Sequence, residues 1–273
     1  MDKVSRDGAS PGEARPYETG PDEAGPDEAG RDEASPFVAG GAAAALAPRR
    51  APLGLSPWLV PGGLLLVLAF LTTNVLTHGP LISLDQHIRG SVLAAARSPD
   101  WRWLGAPARS LTYLGTDFLA VPVLAVTALA LAARRHTVRP LITAVAGVAL
   151  LLATVIPAKI IIARPGPGLP AVARWGLGAF PSGHTSIACV CLSLAVFLLV
   201  DGQPNRVRRV ALAALAAVWL LVGAALVWCD YHWFTDVVAG WALSAIIVQV
   251  TLRVSRRKAV PGSHHQPEGR PGQ

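Results

Sequence analysis

PLITAVAGVALLLATVIPA, from Pro140 to Ala158, is a run of nineteen residues with no charged side chain. Its length is close to the ~20 apolar residues needed to cross the hydrocarbon core of a bilayer. No water is present there to satisfy backbone amides, so a lone segment of this kind must be helical. Five more runs of similar character lie at about Pro57–Leu76, Thr116–Ala133, His184–Val200, Val210–Trp228 and Asp236–Leu252. The pattern predicts an all-α, polytopic membrane protein with six transmembrane helices.

Composition supports this class. Of 273 residues, 52% are hydrophobic and only 15% charged, against about a quarter charged in an ordinary soluble domain. Ten of the seventeen carboxylates precede Pro36, so the rest of the chain is strongly basic. The net charge of +7 would suit a nucleic-acid binder, but the bases flank apolar runs. That placement reads as membrane orientation, with no nucleic-acid partner. Cys189, Cys191 and Cys229 offer no disulfide framework and read as small buried hydrophobes.

Residues 1–50 read as a disordered acidic, Pro/Gly-rich tail carrying the degenerate repeat GPDEA-GPDEA-GRDEA from Gly20 to Ala34. Such a segment cannot bury enough apolar surface to offset chain entropy. It lacks the basic start and immediate apolar stretch of a signal peptide. Residues 51–255 read as the six-span domain and 256–273 as a second cytoplasmic tail.

Arg49 and Arg50 precede the first span, and Arg134, Arg135 and Arg139 join the second to the third. Arg206, Arg208 and Arg209 join the fourth to the fifth, and Arg253, Arg256, Arg257 and Lys258 follow the sixth. With six spans these groups share one side, which is therefore expected to be cytoplasmic, with both termini inside. Trp101, Trp103, Trp175, Trp228 and Trp233 gather on the other side, as an interfacial belt would. The segment 80–115 also lies outside despite four arginines, and reads as helices lying on the outer surface.

Two outer segments hold most of the chemistry. The first runs from Lys159 through KIIIARPGPG to FPSGHT, starting at Phe180; the second is DYHWFTDVVAG, from Asp230 to Gly240. His232 and Asp236 are four apart and would share a helix face. A carboxylate on one imidazole nitrogen fixes the tautomer and raises the basicity of the other, as a nucleophilic histidine requires. Ser182 and Gly183 stand directly before an apolar helical run, where free backbone N–H groups attract phosphate. Ser182 is an N-cap, a phosphate ligand, or both. His184 then stands beside the anion, placed to protonate a leaving oxygen. Lys159 adds a positive charge at the end of a span on the same side.

This arrangement resembles the type 2 phosphatidic acid phosphatase superfamily of lipid phosphate phosphatases, which shares a helical core with vanadium-dependent haloperoxidases. The resemblance covers about residues 57–255 and is carried by PSGH at 181–184 and HWFTDVVAG at 232–240. It implies a membrane phosphatase with a lipid mono- or diphosphate substrate, in the cell membrane, its active site extracytoplasmic. His232 would be the residue phosphorylated, Asp236 its orienting partner and His184 the acid for the leaving group. Lys159, Ser182 and Gly183 would bind phosphate, and neither metal nor cofactor is required.

Two family arginines are missing. The first motif, Lys then six residues then Arg-Pro, places Gly166 at the arginine; the third, Ser-Arg then five residues then His, places Leu226 there. Charge-assisted bonds to phosphate are among the stronger contacts available, so a replacement is expected. Arg164 is the first candidate for that phosphate-binding role and Arg174 the second. Asp230 would pair with one of them or repel the phosphate. The loss also motivates an alternative, a catalytically weak or inactive relative that binds lipid phosphate or partner proteins. A zinc site of His184, His232 and Asp236 would leave the phosphate-cradle sequence without a purpose.

Overall fold

The computed structural model describes residues 58–169 and 176–257, which form helices and turns with no strand among them. The acidic repeat, Arg174, Trp175 and Lys258 lie outside the described residues. Five helices have the length and apolarity to cross a membrane: α1 (Leu59–Leu76), α4 (Asp117–Arg135), α5 (Arg139–Ile162), α7 (Asn205–Trp228) and α8 (Phe234–Arg257). The sixth expected span is α6 (Gly183–Leu199), apolar but only 17 residues long. Between α1 and α4 stand α2 (Leu81–Arg97) and α3 (Gly105–Thr112), in place of the expected outer surface helices.

The short helix is the central one. Seventeen residues rise about 25 Å, less than the ~30 Å hydrocarbon thickness. However, α6 packs against α4, α5, α7 and α8, and Ala188, Cys189, Val190, Cys191 and Leu194 have no exposed surface. Its middle is enclosed by protein rather than lipid, so its length need not match the bilayer. Leu124 of α4, Leu151 and Val155 of α5 and Ile247 of α8 close around it. Small residues let these helices approach. A Cβ on Gly223 would stand 2.4 Å from the Trp241 ring and 2.7 Å from Val237, so α7 can touch α8 only with glycine there.

The outside of the bundle is apolar. Leu66 on α1 and Val145 and Ile161 on α5 are 74%, 68% and 78% exposed, an arrangement stable only when lipid covers them. At one end of the bundle, Arg135 donates to Asp201 at 3.0 Å and to the Leu198 carbonyl at 3.2 Å, tying the α4–α5 turn to the end of α6. The arginines of the α7 start and α8 end share that side. The opposite end carries α2, α3 and every residue implicated in chemistry. Cys189 and Cys191 are buried, Cys229 is half-buried, and all three are free thiols.

Candidate active site

The site is built where three helices begin and one ends. Lys159 lies in the last turn of α5, which stops at Ala163 in a left-handed conformation (φ 46°). The returning chain pairs with that exit: Gly178 N–H donates to the Lys159 carbonyl (3.0 Å) and Ala179 N–H to that of Arg164 (2.7 Å). The Lys159 ammonium donates to the Gly178 carbonyl at 2.6 Å. A Cβ on Gly183 would come within 3.2 Å of Lys159 Cε, so this glycine admits the lysine side chain as well as a ligand.

Ser182 caps α6. Its Oγ accepts from the Thr185 N–H at 3.2 Å and from the Thr185 hydroxyl at 2.9 Å, and the residue has no exposed surface. Its own N–H donates to the Asp236 carbonyl at 3.0 Å, which locks the start of α6 to the first turn of α8. Of the two readings of Ser182, the structure displays the cap.

His232 and Asp236 do not share a helix. His232 belongs to the turn between α7 and α8, two residues before Phe234, and Asp236 lies in the first turn of α8. They meet because the turn folds back over the helix start. Nδ1 of His232 stands 3.6 Å from Asp236 Oδ2, which also accepts from Trp233 N–H at 3.3 Å. Asp236 has no exposed surface. Across from it, the His184 ring centroid is 5.9 Å from that of His232, edge to face. Lys159, Gly183, His184 and His232 all line one cavity of about 400 Å³, with Gly166 and Asp117 on its wall. That volume is ordinary for a small-ligand pocket. Among the described residues, no group of three or more His, Cys, Asp or Glu side chains is placed to hold a metal ion.

Arg164 stands one layer behind the cavity, not in it. Its guanidinium donates to Thr235 Oγ1 (2.8 Å), to Asp236 Oδ1, and to Asp85 Oδ2 (2.7 Å). Asp85, from α2, is 1% exposed; it accepts the Thr235 N–H at 3.0 Å and the Thr235 hydroxyl. Asp230 does not pair with Arg164. Arg89, one turn after Asp85 on α2, takes it in a two-bond fork at 2.7 and 2.8 Å, and this carboxylate raises the arginine's pKa above its usual value. Trp233 lies between the two guanidinium groups, 5.8 Å from Arg89 and 5.2 Å from Arg164, with its indole N–H on the Pro165 carbonyl at 2.9 Å. Asp85, Arg89, Thr235 and Asp117 escaped the sequence analysis. The one available signal was that Asp85 and Asp117 are among few carboxylates in the body of the chain.

Residues 140–259 match the family model described as the PAP2 superfamily. Over that stretch the chain is similar to the PAP2 superfamily. The same fold occurs in a transmembrane PAP2-type phosphatidylglycerolphosphate phosphatase from Bacillus subtilis, with a TM-score of 0.63 at 22% identity over 72% of this chain and 96% of the other. No curated protein sequence matches the chain. In this chain the two vacant arginine positions differ in kind. Gly166 borders the cavity, while Leu226 has no exposed surface and packs with Ala188, Val222 and Val237. The second position has become apolar core.

Proposed function

We propose that this chain is a member of the PAP2 superfamily and an integral membrane phosphatase that hydrolyses a lipid mono- or diphosphate through a phosphohistidine at the extracytoplasmic face. One observation carries the reading: His232, its Nδ1 3.6 Å from the Asp236 carboxylate, and His184 face each other across a cavity whose wall also presents the Lys159 ammonium and the Gly183 start of α6. With Asp236 on the Nδ1 side, Nε2 of His232 is the nitrogen that attacks phosphorus. The bond from phosphorus to the lipid oxygen breaks as an imidazolium at His184 gives that oxygen its proton. Neutral His184 then takes a proton from water, and the hydroxide formed attacks the phosphohistidine. Inorganic phosphate leaves and both histidines are restored. Lys159 and the N–H groups opening α6 oppose the negative charge throughout.

The lipid headgroup would enter from the outer leaflet, since the arginine-rich turns at the far end favour the cytoplasm. Substrates of the polyprenyl diphosphate, phosphatidic acid and phosphatidylglycerol phosphate types all present the group this cavity suits. Phosphate release from such a panel by purified protein tests the reading, with chelator present and with vanadate as inhibitor. Turnover that survives chelation and stops with vanadate supports it. The core position of Leu226 favours a second reading, a weak or inactive relative that only binds lipid phosphate. Vanadate binding without release from any lipid would select that one.

A further inference from the structure

We infer that α2 is the positioning element of the nucleophile: Asp85 holds Asp236 through Arg164 while Arg89 holds Asp230, so one face of one helix fastens the His232 turn at both ends. Asp85 and Arg89 are four residues apart and share a face of α2. Asp230 lies two residues before His232 and Thr235 three after it. Asp230 adopts a left-handed conformation (φ 59°), costly for a residue with a Cβ, and the two-bond fork to Arg89 is what holds it there. At the other end, Asp85 takes both the N–H and the hydroxyl of Thr235, and Arg164 bridges Asp85 to Asp236. Asp236 is therefore held from two directions, by Arg164 on Oδ1 and by Trp233 N–H on Oδ2, with Oδ2 turned to the imidazole.

The charges make the clasp more than a brace. Asp85, Arg164 and Asp236 together carry one net negative charge behind the imidazole. The other groups around His232 are His184 of α6, Lys159 of α5, Asp117 of α4, Arg89 of α2, and Asp230 and Tyr231 of its own turn. Asp85→Asn leaves Arg164 to neutralise Asp236 alone. A less negative surrounding disfavours protonation of the base, so the acidic limb of the pH profile moves to lower pH. Arg164→Gln leaves two carboxylates unneutralised and moves the limb the other way. A residue that only stabilised the fold would lower the active fraction without moving the limb.

The inference rests on the phosphatase reading for its kinetic test, which is the pH profile of kcat/KM for one lipid phosphate in folded, monodisperse protein. Its acidic limb reports the free enzyme's base, and the substrate's own titration is common to all variants. Asp85→Asn should lower kcat about ten- to a hundredfold, the usual loss for a group orienting a ligand from behind, with little change in KM and the limb moved to lower pH. Arg164→Gln should move it to higher pH. Asp201→Asn, at the far end of the bundle, should move nothing. Where Asp85→Asn does not accumulate folded, Thr235→Val, which removes the hydroxyl between Asp85 and Arg164, must lower kcat with KM kept. Unshifted limbs with wild-type kcat overturn the clasp. If the wild type releases no phosphate, the phosphatase reading fails on its own. The clasp is then tested by nuclear magnetic resonance titration of the His232 imidazole, where the same opposite shifts support it and their absence overturns it.

Discussion

Asp236 keeps a carboxylate where no water reaches it, and that is affordable only because each oxygen is occupied. Arg164 sits on one oxygen, and the Trp233 N–H and the His232 imidazole approach the other. On the proposed mechanism the imidazole is the nucleophile, so His232→Ala should show no turnover in a phosphate-release assay. Asp236→Asn keeps the shape but can no longer favour the correct tautomer, and should cost about a thousandfold or more in kcat. Arg164→Ala strips the shared partner from Asp85 and Asp236 together. Breaking a buried ion pair from one side costs about 3–5 kcal/mol, which denaturant or thermal unfolding in detergent would register. The vacant arginine positions should respond differently. Gly166→Arg adds a cation at the cavity wall and should lower KM, since a new Cβ meets only Leu169, at 3.2 Å. Leu226→Arg puts an unpaired charge among Ala188, Val222 and Val237 and should fail to fold. At this scale the gathering of the histidines, Lys159 and Gly183 was legible because they belong to short motifs, and one cavity does bring them together. The role of Arg164 was not, because its partner Asp85 lies 79 residues away and nothing in the spacing connects them.

The helices obey simpler rules. The number and order of the six apolar helices follow from apolar length alone, and the observed bounds of α4, α5 and α6 fall within four residues of the expected ones. The six expected spans emerge as five long helices and one short enclosed helix, a distinction hydropathy cannot make because burial in protein and burial in lipid select the same residues. The His232–Asp236 spacing was read as helical because i, i+4 pairs usually are. Here the pair straddles a helix start, and the turn supplies the proximity instead. α2 was legible as a helix but not as part of the site, because the partners of Asp85 and Arg89 lie on other elements. Helix contact yields its own prediction. Gly223→Leu must drive α7 from Trp241 and Val237, and overpacking of this kind costs about 1–3 kcal/mol. Its unfolding midpoint in detergent should fall while Gly62→Leu, where a Cβ meets nothing within 4 Å, leaves it unchanged.

Across the described residues, the arginine-rich turns and the candidate site sit at opposite ends. Arginines crowd the turns at one end, and Lys159, His184 and His232 share the cavity at the other. A single cysteine at Gly202 in a Cys229→Ser background should resist an impermeant maleimide applied to intact cells and react after permeabilisation; the reverse would invert the orientation. The central claim is that a phosphoryl group passes from lipid to His232. Its most direct test is to quench the enzyme during turnover of a phosphorus-radiolabelled lipid phosphate and follow the label on the protein. The account predicts an acid-labile, alkali-stable phosphoenzyme in the wild type and none in His232→Ala. Label that persists after His232→Ala, or turnover on a lipid phosphate with no protein label trapped under any quench, would contradict it.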